Sequence, residues 1–122
     1  MSAGRKGPRV EQDIEIDVER RGGSTIVSAR GEVDVATAPA LREGLDEAVA
    51  ADAGAVVVDL TGVTFIDSTG LGVLIGARKR CLDADLELRV VVTEPRILKV
   101  FEITGLTELF AIHESLEPAL EA

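Results

Sequence analysis

The chain is poor in the residues from which several kinds of site are built. It has one cysteine, one histidine, and neither tryptophan nor tyrosine in 122 residues. A lone Cys81 excludes an internal disulfide, and a single His113 leaves no set of three or four nitrogen and sulfur ligands for zinc, so neither a metal nor a cofactor is expected. The three aromatic side chains, Phe65, Phe101 and Phe110, fall inside apolar stretches and read as core, which leaves no stacking platform for nucleic-acid bases. Positive charge is short as well. Thirteen Lys and Arg against 22 Asp and Glu give a net charge of −9, a field that repels phosphate backbones and anionic lipid. Nucleic acid and membrane are therefore excluded as partners. No uninterrupted apolar run approaches the ~20 residues of a membrane span, and Arg5, Lys6 and Arg9 are not followed by the apolar segment of a signal peptide. A reducing cytoplasm suits such a chain.

What is present is enough apolar surface for one compact domain: 46% of the residues are hydrophobic and 29% charged. Residues 1–12 carry Gly4, Gly7 and Pro8 without periodicity and read as a flexible leader, so the domain is expected over 13–122. Ile14, Ile16 and Val18 alternate with acidic residues, the period of a strand with one wet face; Gly22-Gly23 turns the chain into a second strand over Ser24 to Arg30, closed by Gly31. Thr37 as a cap, Pro39 in the first turn and an apolar stripe through Leu41, Leu45 and Ala48 predict a helix ending near Asp52. The β-branched run Ala55 to Leu60 predicts a strand covered on both faces. Beyond Thr61 to Asp67 follow a helix over Ser68 to Leu82, a strand over Leu86 to Val92 and a helix over Pro95 to Thr104. A weak strand around Phe110 to Ile112 and a last helix after Glu114 complete the pattern. It is that of an α/β domain with a mixed, mostly parallel sheet of four to five strands and about four helices.

The informative segment is Asp67-Ser68-Thr69-Gly70-Leu71-Gly72, between an apolar strand and the first turn of a helix. Read plainly, Asp67 or Ser68 caps the orphan amides of that helix. A helical projection puts Leu71, Leu74, Ile75 and Leu82 on one side, read as core, and Thr69, Gly72, Val73, Gly76, Lys79, Arg80 and Asp83 on the other. Glycine in an exposed helix costs about 0.8–1 kcal/mol relative to alanine. A docking face, floored by Val73 between Gly72 and Gly76 and headed by the Ser68 hydroxyl, offsets that cost; tight packing against a neighbouring helix of the same domain explains the glycines equally well.

Enzymatic readings fail on spacing. Gly70-x-Gly72 with Gly76 places the third glycine one residue late for a dinucleotide loop, and there is no G-K-[ST] for a P-loop. Ile66 stands where a nucleophile elbow needs glycine. Asp59 ends a central strand like a phospho-accepting aspartate, but no acidic pair for Mg²⁺ follows a first parallel strand.

With Gly31-Glu32-Val33-Asp34-Val35-Ala36-Thr37-Ala38-Pro39 and the turn Asp67-Ser68-Thr69-Gly70-Leu71-Gly72 after Val57-Val58-Asp59-Leu60, the sequence resembles the STAS domain, and within it the bacterial anti-sigma factor antagonists. The resemblance implies a protein with no catalytic activity of its own. Its partner would be an anti-sigma factor that is itself a serine kinase and phosphorylates the serine matching Ser68; a serine phosphatase would reverse this. The unphosphorylated form would bind the anti-sigma factor and free a sigma factor. Asp34 matches a family position close to the acceptor. The expected partner surface is Asp34, Asp67, Ser68, Thr69, Gly70, Gly72, Val73 and Gly76. The alternatives are a non-phosphorylated STAS subunit of a lipid-transport or stress-signalling complex, and a small enzyme or nucleotide binder using Gly70 to Gly76.

Overall fold

The computed structural model describes residues 9–11, 13–52 and 54–121. One sheet of six strands runs β1 (Arg9–Glu11), β2 (Ile14–Arg21), β3 (Ser24–Val33), β4 (Ala55–Ile66), β5 (Glu87–Val91) and β6 (Ala111–His113), with neighbours in space in the same order as in the chain. β1, β2 and β3 pair antiparallel; β3, β4, β5 and β6 pair parallel. The helices are α1 (Ala38–Ala51), α2 (Ser68–Asp83), α3 (Pro95–Ile103) and α4 (Leu116–Glu121), with a 3-10 turn at Leu106–Glu108. The α/β class, the mostly parallel sheet and the four helices are as the sequence pattern predicts.

Alternate residues of the central strands feed two cores. Val27, Val56, Val58 and Val90 face one side, where Leu41 and Leu45 of α1 and Leu74 and Ala77 of α2 pack on them. Ile26, Val57 and Val91 face the other, under Ala119 of α4. A parallel sheet clothed on both faces explains the continuous β-branched run of β4.

Three boundaries differ from expectation. The predicted leader contributes a strand: Arg9–Glu11 pairs with Ile14–Ile16, adding a sixth, outermost strand. Three residues are too few to display a period of two. The rest of that segment lies outside the described residues. β3 does not close at Gly31 but runs on to Val33, and β4 runs on to Ile66, because the two pair in parallel across a bulge. Gly31 makes the bulge possible. Its φ is +117°, and a Cβ there would stand 2.3 Å from the Asp13 carbonyl oxygen, so only glycine fits. Together the two strands carry the chain to the end of the sheet where α1 and α2 begin.

Candidate functional site

α2 starts where β4 stops. Asp67 has extended backbone and caps the helix: its Oδ1 accepts from the Gly70 amide at 3.1 Å. The Asp67 amide donates to the Val33 carbonyl at 3.1 Å, which ties the head of α2 to the end of β3. Of the two capping candidates, then, Asp67 is the cap and Ser68 is not. Ser68 is the first helical residue, exposed, and its hydroxyl has no hydrogen-bond partner among the described residues. The Ser68 and Thr69 amides, orphan donors of the first turn, have no partner there either, whereas the Leu71 amide already reaches the Asp67 carbonyl at 3.0 Å. A hydroxyl beside two vacant amides at the positive end of a helix is an anion-compatible position.

Asp34 sits on the loop after β3, next to this helix end. Its Oδ1 accepts from the amides of Ala36 at 3.0 Å and Thr37 at 3.1 Å, ordering the entry to α1. Thr37 was expected to cap α1 with its side chain. Instead its buried hydroxyl donates to the Glu32 carbonyl at 2.7 Å and accepts from the Asp34 amide at 2.9 Å, while the first amides of α1 go to backbone carbonyls, Ala38 to Asp34 at 2.8 Å and Ala40 to Thr37 at 3.0 Å. Asp34 thus holds the loop that abuts the site.

The remaining predicted surface residues divide. Thr69 and Gly72 are exposed, and a Cβ on Gly72 would meet nothing within 4 Å. Gly70 is buried: a Cβ there would come 2.5 Å from Val33 Cγ1 and 2.8 Å from Ile66 Cγ1, so this glycine lets the helix approach the strands and is not part of a surface. Val73 is half-buried against the main core. Gly76 is half-buried beside the Arg80 guanidinium, which crosses to Asp46 of α1 at 2.8 Å. The inner face of α2 is Gly70, Leu71, Leu74, Ala77 and Cys81, while Ile75 and Leu82, predicted as core, are 42% and 56% exposed. Small residues lie inward because α2 packs closely on the sheet, so the projection weighted by large apolar side chains was turned too far.

Sequence reasoning also missed apolar surface. Val35, on the Asp34 loop, is 71% exposed, and Phe65, read as core, is 48% exposed; only Phe101 and Phe110 are buried, edge to face at 6.1 Å. The pleat accounts for Phe65: Ile66 points inward, so its neighbour in the strand points out. Exposed residues on these strand ends, the Asp34 loop and α2 include Val35, Phe65, Ser68, Thr69, Gly72 and Ile75.

Among the described residues, two groups have displaced acidities. Glu15, hydrogen-bonded to Arg30 at 3.1 Å, raises the guanidinium further above its already high value. Burial pushes the Cys81 thiol up, so it stays protonated. Neither lies at the head of α2.

Fold and site together define a small α/β domain with an open, hydroxyl-bearing helix end. Residues 15–119 match the STAS domain family. An anti-sigma-B factor antagonist of Listeria monocytogenes is 36% identical over 101 residues, 82% of this chain and 89% of that one. The crystal structure of an anti-sigma factor antagonist from Mycobacterium paratuberculosis superposes with a TM-score of 0.81 at 32% identity, covering 92% of this chain and 95% of that one. The Bacillus protein SpoIIAA shares the fold at 19% identity, with TM-scores of 0.72 for its unphosphorylated form and 0.66 for its phosphorylated form; these cover 87% of this chain and 93% and 96% of theirs. The chain belongs to the STAS domain family.

Proposed function

We propose that this protein is a cytoplasmic anti-sigma factor antagonist without catalytic activity, whose grip on an anti-sigma factor is released by phosphorylation of Ser68. The observation that carries the reading is the division of labour at the head of α2. Asp67 takes the capping role, leaving the Ser68 hydroxyl exposed and unengaged beside two vacant amides. The names of the relatives, and the two phosphorylation states in which SpoIIAA has been solved, support it. The partner is an anti-sigma factor with serine kinase activity, and a serine phosphatase restores the binding form.

Phosphate at Ser68 adds about −1.5 to −2 charge at a helix N-terminus, where free amides and the dipole accept it, so the scaffold persists. The interface suffers instead. A dianion beside Asp67, with Asp34 on the neighbouring loop and the exposed Glu32 at the end of β3, would have to be desolvated against a partner shaped for a hydroxyl. A hundredfold loss of affinity needs about 2.7 kcal/mol of differential binding, within what one poorly paired buried charge supplies.

The test is phosphorylation by the cognate kinase with ATP, followed by intact mass and binding measurements. Wild type gains one phosphate and loses the anti-sigma factor, Ser68→Ala gains none and still binds, and Ser68→Asp binds poorly. Continued single-site labelling of Ser68→Ala would move the acceptor elsewhere. Equal binding by phosphorylated and unphosphorylated protein would leave a STAS subunit that works without this switch.

A further inference from the structure

The far end of α2 borders a cavity of about 470 Å³, within the roughly 300–1,000 Å³ usual for small-molecule sites. It arises from strand register. β6 covers only Arg89–Val91 of β5, so Glu87 and Leu88 have no strand neighbour on that side, and the space is walled by the C-terminal half of α2 and by Leu109. The walls are apolar: Cys81, Leu82, Leu86, Leu88, Leu109 and Ala111. Leu82 and Leu109 leave 56% and 36% of their surface open, and the buried Cys81 thiol, kept protonated, is an uncharged wall.

The charged groups of the lining do not cancel. Glu87 is engaged by Arg89, whose other terminal nitrogen donates to the Ala119 carbonyl at 3.0 Å. Arg78 donates through Nε to the Leu109 carbonyl at 3.1 Å, which fixes the plane of its guanidinium, and its two terminal nitrogens have no partner among the described residues. His113 also lines the space. In a chain of net charge −9, an uncompensated guanidinium fork over an apolar cavity matches one chemistry: a single carboxylate on a short apolar body.

We propose that the cavity between α2 and the β5–β6 edge binds a medium-chain fatty carboxylate, its head on Arg78 and its chain along Leu82, Leu88 and Leu109. This site is independent of Ser68, at the opposite end of the same helix.

Octanoate titrated into the isotope-labelled full chain tests it by amide NMR, with octylammonium, octan-1-ol and a short acetylated peptide ending in leucine carboxylate as parallel probes. Octanoate shifts the amides of Cys81, Leu82, Leu88 and Ala111 saturably, octan-1-ol binds at least tenfold more weakly and octylammonium does not bind. Arg78→Gln lowers octanoate affinity about tenfold, and Leu82→Asp, at an exposed position, abolishes binding; melting curves of both variants establish that the fold is intact. Absence of saturable shifts at these amides, equal binding of octylammonium, or unchanged affinity in Arg78→Gln would overturn the assignment. Equal or tighter binding of the peptide would overturn it in favour of a peptide carboxylate.

Discussion

Two glycines only two residues apart on α2 should respond to the same substitution with opposite signs. At Gly72 an added methyl meets nothing within 4 Å, so Gly72→Ala recovers the backbone entropy lost by glycine in an exposed helix, about 0.8–1 kcal/mol. With an unfolding entropy of about 2.1 cal/mol/K per residue over 122 residues, the melting temperature rises about 3–4 °C. At Gly70 the methyl would come 2.5 Å from Val33 and 2.8 Å from Ile66, both buried and unable to swing aside, and overpacking of this kind costs about 1–3 kcal/mol. Gly70→Ala should therefore melt lower by about 4–12 °C. Binding to the anti-sigma factor separates stability from function. If α2 docks through its Gly72 face, the stabilised Gly72→Ala protein binds at least about fivefold more weakly, the equivalent of 1 kcal/mol of steric cost. Thermal denaturation paired with calorimetric titration reads both quantities. A Gly72→Ala protein that is more stable and binds with unchanged affinity would refute the docking face, and a Gly70→Ala protein as stable as wild type would refute the close approach of α2 to the sheet.

Asp67→Ala removes the cap from α2 and should cost about 0.5–2 kcal/mol in denaturant unfolding. Asp34→Ala should cost a similar amount by stripping the acceptor from the Ala36 and Thr37 amides, and Asp34→Asn, which keeps an acceptor oxygen, should recover most of it. The buried Cys81 thiol should resist alkylation in the native state at pH 8 and react only on unfolding. Because its acidity is weakened by folding from an ordinary value of 9.0, the unfolded chain releases that proton first. Stability is therefore full below about pH 9 and falls as pH rises beyond it, and Cys81→Ala should remove this component of the slope.

The sheet and helices were legible in the sequence wherever a single periodicity ran long enough. α2 was predicted to within a residue, yet its orientation was not. The prediction followed Ile75 and Leu82 because they are large and apolar, while the packed surface is built from Gly70, Ala77 and Cys81 together with Leu71 and Leu74. Space sets that choice: a helix lying close on a sheet needs small residues beneath it, and hydrophobicity alone does not register the distance between layers. The same limit hid the continuation of β3 and β4, whose last residues are held by each other across a bulge that no local pattern announces. At the candidate site, Asp67, Ser68 and Thr69 stood out as short polar side chains at a helix start, whereas Asp34 was marked only by the resemblance to the STAS domain. Val35 and Phe65 were not, since an apolar residue near a strand end reads as interior until the pleat is known.

β4 is twelve residues long; β5 flanks only Ala55–Asp59, but β3 pairs with it as far as Ile66, and Ser68 follows two residues beyond that end. Central strands belong to the slowest-opening part of a domain. On the proposed reading, a kinase acting on Ser68 consequently cannot wait for the chain to fray and thread it through an active site as a linear motif. It must read a finished surface, so an isolated peptide spanning residues 62–76 should be a poor substrate, and any loss of tertiary structure should silence the residue altogether.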